Sequence, residues 1–466
     1  MADNVIIKIL MAKINPSIFK EYDIRGKYPS EINLKTAYLL GKAFAISLKA
    51  KKIAATCDRR PESATIMPAF FSGIKDAGCQ IFYLGINSTP TMFFAIKDKK
   101  LDGGISLTAS HNPIGYTGLK LCNKNGSLLG LNTGVKKIQQ LAEKIIPPKT
   151  EGFKSVKTTP IDIANHYYQF ASKIAELKKI SGFKIILDAS GGSGTRLADY
   201  FFARLHSKII KINFKPNDRF IDHGPNPMLA KNQKSAIEAI KKYRADLAII
   251  FDGDGDRCIF IDENGKFINP YYINCLLSEI ILKKYKKTVI AIDARLQLGL
   301  SEVIKKSGGT PIVSRSGYAN LVDLMRNRKT LFGCENSGHY FFNFRIIDKK
   351  NNYIFGDSII PILLILEHLK ENNLSLSEAI DEFKNKYFIS GELNYENVNF
   401  STLEKKLVKK YAGYKKDNLD GLSIYGHNWF MNIRPSKTEP IVRLNVEAKN
   451  KATLDKITKE IISLIK

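Results

Sequence analysis

The stretch FKIILDASGGSGTRLADYFFARLHSKIIKIN, residues 183–213, decides the fold. An apolar run ends in Asp188, a glycine-rich turn and a helical segment follow, and a second apolar run closes the unit. Continuous apolar strands joined by a helix are the mark of a parallel sheet, so this is a βαβ unit. The same plan occurs twice more. KIAATCD (52–58) leads through SATIMPAFFSGIKDAGC (63–79) to QIFYLG (80–85), and TVIAIDARLQLG (288–299) leads through LSEVIKKSGG (300–309) to TPIVSRSG (310–317). Each first strand ends in an aspartate: Asp58, Asp188 and Asp293. Recurrence at this spacing predicts duplicated domains rather than a solenoid.

After each unit another apolar strand runs into a polar loop: GGISL into TASHNP (108–113), DLAIIF into DGDGDR (252–257), and TLFG into CENSGH (334–339). In open α/β sheets ligands sit beyond the carboxyl ends of strands, so three such loops can close around one cleft. From about Glu378 the pattern changes to a helix, three strands and a final helix, a smaller α+β domain with its own loop, RPSKTEP (434–440). The expected domains are 1–157, 158–266, 267–377 and 378–466, in keeping with roughly 100–200 residues per domain for a chain of 466.

Composition narrows the function. At 44% apolar residues the chain builds substantial cores, and disorder is excluded as its general state. The six cysteines form no CxxC or CxxH pair, which argues against a zinc site or a disulfide framework and for free buried thiols in a reducing cytoplasm. The N-terminal run VIIKILMA is too short for a membrane span and has no cleavage site of the secretory type, while SIIPILLILEHL (358–369) reads as a buried helix. The net charge of +27 admits nucleic-acid binding, but the lysines are dispersed as pairs with no aromatic-interleaved block, so anionic small substrates are favoured. No nucleic-acid or membrane partner is expected, and a monomer is the simplest state.

The loops carry the chemistry. In FDGDGDR, Asp252, Asp254 and Asp256 alternate with glycines after a strand, a donor set for a hard cation such as Mg²⁺. An EF-hand is excluded because Arg257 stands where a glycine is required and strands flank the loop. Arg257 suits a phosphate oxygen, and Arg434, Ser436, Lys437, Thr438 and Arg443 make a phosphate cradle. CENSGH offers Glu335, Ser337 and His339 to a polyhydroxylated ligand. In TASHNP, Ser110 and His111 are adjacent on what reads as an extended turn; their side chains should diverge, leaving His111 a poor base for Ser110. Metal and phosphate groups together point instead to phosphoryl transfer through a covalent phosphoserine.

TASHNP with GYTGLK, then DGDGDR, GCENSGH and RPSKTEP, in this order from Ser110 to Arg443, resemble the α-D-phosphohexomutases. EYDIRG (21–26) is similar to the phosphomannomutase/phosphoglucomutase branch. The resemblance implies three related α/β domains and a fourth like the TATA-binding protein. It implies Mg²⁺ on Asp252, Asp254, Asp256 and phosphorylated Ser110, with a hexose 1,6-bisphosphate formed and turned over between a hexose 1-phosphate and 6-phosphate. Glu335, Ser337 and His339 would face the sugar, Arg434, Ser436, Lys437 and Thr438 the non-reacting phosphate, and Tyr22, Arg25, Lys120 and Arg257 the reacting end. Lys120 is the expected general acid/base, with its pKa lowered by neighbouring cations; His111 is expected to orient the loop. Gly317 and Tyr318 are expected in the substrate site, with Arg295 holding phosphate. Several positions depart from the family's usual residues: Thr117 for asparagine, Tyr318 for histidine, Arg295 for lysine, Lys437 for asparagine and Tyr272 for arginine. They bear on the sugar, so mannose and glucose are the expected substrates and glucosamine phosphate the alternative.

Overall fold

A computed structural model of the chain describes residues 14–148, 153, 155–215, 223–436 and 440–465. The N-terminal apolar run, Lys437 and Thr438 lie outside the described residues.

Three sheets repeat one plan. In the first, Lys52–Cys57 lies between and parallel to Gln80–Ile86 and Gly103–Leu107. Gly103–Leu107 then folds back antiparallel onto Tyr116–Asn123, with Ile24–Lys27 at the edge. In the second, Ser181–Asp188 is parallel to His206–Ile212 and Leu247–Phe251, and Leu247–Phe251 is antiparallel to Cys258–Asp262. In the third, Val289–Asp293 is parallel to Thr310–Ser314 and Phe332–Cys334, and Phe332–Cys334 is antiparallel to Tyr340–Asn343. Each sheet is therefore mixed, and each of the three motif loops is the turn of its hairpin. The fourth sheet is wholly antiparallel, with Ile441–Ala448 paired to Trp429–Pro435. Helices Phe400–Lys410 and Lys451–Ile465 contribute Leu403, Leu407, Ile457 and Ile461 to its core.

One apolar core runs from the first unit into the third. Helix Thr89–Asp98 sends Phe94 onto Tyr167 (centroids 4.7 Å apart) and Phe93 onto Tyr318 (5.3 Å), while Phe170 stacks on Phe344 at 4.3 Å. Offset aromatic pairs of this kind add directional packing to area burial. Helix Ile360–Asn372 is buried along Ile360 to Leu366, as its unbroken apolar run predicts. All six cysteines are buried and free. Among the described residues no helix is long and apolar enough to cross a membrane.

Candidate active site

Ser110 sits where strand Gly103–Leu107 turns toward Tyr116–Asn123, and it is almost fully buried. Its backbone is left-handed, with φ of 51°, a conformation that costs a non-glycine residue about 1 kcal/mol or more unless neighbours enforce it. Here they do. The Ser110 amide donates to Thr108 Oγ1 at 2.7 Å, and Thr108 donates to Asp58 at 2.8 Å. The buried guanidinium of Arg60 pairs with Asp58 and donates to the carbonyls of Ser110 (2.9 Å), Asn112 (3.2 Å), Pro113 (3.3 Å) and Tyr116 (2.8 Å).

The kink has a consequence that an extended turn would not. Ser110 Oγ lies 3.3 Å from His111 Nδ1, so the two side chains converge rather than diverge. Burial, with the cations of Arg257 and Arg25, holds the His111 pKa well below its ordinary value, and the imidazole is neutral. Arg257 Nη2 approaches the same Nδ1 at 3.1 Å, and Arg25 donates to Asn112 at 2.6 Å.

Ser110 Oγ also donates to Asp252 Oδ2 at 3.2 Å. Asp252, Asp254 and Asp256 are all buried, and one oxygen of each lies within 4.8 Å of the others. Gly255, with φ of 66°, allows the turn, and a Cβ there would meet Gly194 Cα at 2.9 Å. Asp254 Oδ1 is buried and accepts no hydrogen bond among the described residues. Burial and its two carboxylate neighbours push Asp252 up to about 8. Carboxylates crowded out of water in this way ionise together when a divalent cation joins them, and oxygen donors with an orphaned lone pair suit Mg²⁺. The residues present fit that ion.

Lys120 reaches this cluster from the neighbouring strand, with Nζ 2.6 Å from Asp254 and 2.5 Å from Asp256. This corrects the expectation for its pKa. Burial alone would lower it, but Asp254, Asp256 and Asp252 outweigh burial and raise it, because carboxylates rather than cations face the amine.

The third loop joins the second through His339. Its Nε2 is 3.2 Å from Asp256, its Nδ1 is 2.8 Å from Ser337 Oγ and 3.1 Å from Glu335. Arg257 Nε lies 3.3 Å from the same ring. Burial opposes protonation of His339, and Asp256 and Glu335 more than offset it, so its pKa is raised. Burial likewise opposes ionisation of Glu335, but His339, Arg295 and the Gly317 amide bring it down to about 2. That amide donates to Glu335 at 2.7 Å, and a Cβ on Gly317 would strike the Tyr22 ring. Tyr22 in turn donates to Ser316 O at 2.8 Å, closing the first unit onto the third.

Tyr318 is placed differently from the expectation. Its hydroxyl accepts from the Gly356 amide at 2.7 Å and its ring packs between Phe93 and Phe341, so it is a core residue beside the site. Tyr272 donates to Tyr387 O, and Thr117 is buried against Ser63. Arg295 pairs with Asp293 at 2.7 Å. Arg434 and Arg443 face each other across paired strands, and Ser436 donates its amide to Ile441 O.

Sequence reasoning missed Arg60 and Thr89. Thr89, at the start of helix Thr89–Asp98, donates from Oγ1 to Asp254 at 2.6 Å and from its amide to Asp254 O at 2.9 Å. The repeats held a signal for Arg60, since Asp58-x-Arg60 matches Asp293-x-Arg295; Thr89 left none, because its partner is 165 residues away.

Residues 16–149, 165–265 and 269–387 match alpha/beta/alpha domains I, II and III of phosphoglucomutase/phosphomannomutase, and residues 396–464 match its C-terminal domain. The chain is 35% identical to a phosphomannomutase of Methanocaldococcus jannaschii, covering 96% of this chain and 97% of that protein. It is 32% identical to a phosphomannomutase of Escherichia coli, covering 96% and 99%. A crystal structure of a phosphoglucomutase/phosphomannomutase family protein from Burkholderia thailandensis superposes with a TM-score of 0.85 at 25% identity, over 97% of each chain.

Proposed function

The chain belongs to the phosphoglucomutase/phosphomannomutase family, and on that premise we propose that it interconverts hexose 6-phosphate and hexose 1-phosphate through phosphorylated Ser110 and a hexose 1,6-bisphosphate. The observation that carries this reading is the convergence of the Ser110 hydroxyl, the three buried aspartates and Lys120 at one point. Mannose and glucose phosphates are the substrates we assign, used by a single chain whose own four units surround the cleft; the divisions at about 157, 266 and 377 belong to the same proposal.

Each residue has a task. Asp252, Asp254 and Asp256, with an oxygen on Ser110, would hold Mg²⁺, which when bound neutralises charge on the transferring phosphoryl group. Lys120 and Arg257 present positive charge to that group, and Arg25 fixes Asn112 behind it. The phosphoserine O–P bond breaks as a sugar hydroxyl attacks phosphorus, the sugar oxygen losing its proton and the leaving Ser110 oxygen taking one up. On the return step the Ser110 hydroxyl loses its proton as it attacks the other phosphorus of the bisphosphate, whose sugar O–P bond breaks and whose sugar oxygen is protonated. We assign the proton leaving Ser110 to His111 Nδ1, 3.3 Å from the Ser110 hydroxyl. Glu335 and Ser337 bind sugar hydroxyls, with His339 bracing both. Arg434, Ser436, Lys437, Thr438 and Arg443 hold the other phosphate, with Arg295 beside them.

Turnover of mannose, glucose and glucosamine 1-phosphates by purified protein, with Mg²⁺ and a trace of bisphosphate, tests the assignment. Mannose and glucose esters should both turn over. Exclusive use of glucosamine 1-phosphate would replace the assigned substrates.

A further inference from the structure

The arginines assigned to the non-reacting phosphate already surround an anion of the protein's own. Glu392 lies in the short link between strands Phe388–Ile389 and Leu393–Glu396. Its Oε1 accepts from Arg443 Nη1 at 2.9 Å, and its Oε2 lies 3.7 Å from guanidinium nitrogens of both Arg295 and Arg434. Arg434 and Arg443 stand directly opposite on neighbouring strands, a like-charge pairing that needs a counter-ion. Two other carboxylates serve the cluster, Asp293 on Arg295 (2.7 Å) and Asp420 near Arg434 (3.9 Å).

The three carboxylates are not equally anchored. Asp293 accepts the backbone amides of Arg295 and Asn336, both at 2.8 Å, and Asp420 accepts the amide of Ser316. Those contacts tie both carboxylates to backbone, Asp293 within its own turn and to the loop at Asn336, and Asp420 across to Ser316 of the third unit. Among the described residues the partners of Glu392 are side chains only, and Oε2 is buried without a hydrogen bond. Arg434 Nε is likewise buried and makes none among the described residues. Gly391, with φ of 71° and open space around it, precedes Glu392. Of the anions in the cluster, Glu392 is the one that can leave without breaking a backbone hydrogen bond shown among the described residues.

We propose that Glu392 is a displaceable counter-ion that competes with the substrate phosphate for Arg295, Arg434 and Arg443. This rests on the reading of that cluster as the phosphate cradle. In a bisphosphate mechanism the cradle must release one phosphate and take the other within each turnover. A carboxylate that closes on the arginines as the phosphate lifts keeps them convergent and shortens the time the intermediate is held. Binding strength is thereby exchanged for speed of reorientation, since interactions equal in ground and transition states do not raise kcat.

The test uses full-length protein with Mg²⁺. Calorimetry with mannose 1-phosphate on the non-turning-over Ser110→Ala protein gives a reference Kd. Adding Glu392→Gln should tighten binding by about three- to tenfold, since a like charge next to the phosphate is removed. Adding Glu392→Asp, which keeps the charge, should leave Kd within about twofold of the reference. In protein with Ser110 intact, Glu392→Gln should lower KM and kcat together. Weaker or unchanged binding in the Gln variant overturns the proposal, as does equal tightening by Asp. Arg434→Ala in the same background separates the two levels: if it binds mannose 1-phosphate as tightly as the reference, the cradle assignment itself fails; if it binds more weakly while Glu392→Gln fails to tighten, only the counter-ion role fails.

Discussion

Asp254 shows how much one side chain can be asked to do. One oxygen accepts from Thr89 and Lys120, and the other is buried without a partner among the described residues. Replacing it by asparagine keeps the shape and removes the charge, and a neutral amide is a poorer ligand for a hard cation. Asp254→Asn should weaken Mg²⁺ binding by at least about tenfold and reduce turnover with it. Its melting temperature without metal should stay close to that of the parent, because the buried carboxylate cluster then loses a repulsive charge. Titration calorimetry with Mg²⁺ reads the first effect. An unchanged metal affinity, or full activity in excess chelator, would remove the aspartate triad from the mechanism. At this scale the three aspartates were legible because all of them lie in six consecutive residues after a strand. The pairing of Ser110 with His111 was misread because it hinges on one backbone angle, φ of 51° at Ser110, that no local residue preference dictates.

Among the elements, the strand ends repeat one device. Asp58, Asp188 and Asp293 each accept the amide two residues on, from Arg60, Ser190 and Arg295. These are Asx turns, and they explain why aspartate closes every first strand. The hairpins that present the motif loops were only half visible, since an apolar strand does not reveal whether its neighbour runs parallel or antiparallel. Helix Ile360–Asn372 carries a measurable consequence. Asp357 Oδ1 accepts the Ile359 and Ile360 amides at its start, both at 2.7 Å, while Oδ2 is buried and accepts none among the described residues. Burial pushes the Asp357 pKa up to about 7, against the pull of those amides. A folded-state pKa above the unfolded one means that the contribution of this group is complete below the unfolded value and is lost as pH rises through the folded one. Asp357→Asn abolishes that dependence. Its melting temperature relative to wild type should therefore climb between pH 5 and pH 8; a constant difference across that range would contradict the placement of the carboxylate.

On the scale of the whole molecule, the aromatic core linking the first three units was not legible at all, because Phe93 meets Tyr318 only through the tertiary fold. The charge of +27, ambiguous in the sequence, has two concrete counterparts: Arg295, Arg434 and Arg443 gathered around Glu392, and Lys120 and Arg257 against the three aspartates. Two cationic clusters suit a sugar that carries a phosphate at each end. If the sugar turns over between them, Glu335 and Ser337 must serve both orientations, which hydroxyls distant from both phosphates allow. The hydroxyl by which mannose and glucose differ should then be little read, and kcat/KM for the two phosphates should agree within about tenfold, or about 1.4 kcal/mol. Arg434→Ala should depress turnover of both sugars, since either orientation loses a charge-assisted contact. Steady-state kinetics on the two 1-phosphates checks this, and loss confined to one sugar would rule out a shared cradle.

The most direct measurement concerns Ser110 itself. Intact-mass analysis with peptide mapping should find one phosphate on Ser110 after incubation with hexose 1,6-bisphosphate, and none on Ser110→Ala. That variant should turn over mannose 1-phosphate slower by orders of magnitude, since the covalent carrier is gone. Fully active protein with an unmodified Ser110 throughout, or a Ser110→Ala variant as fast as wild type, would contradict phosphoryl transfer through this serine.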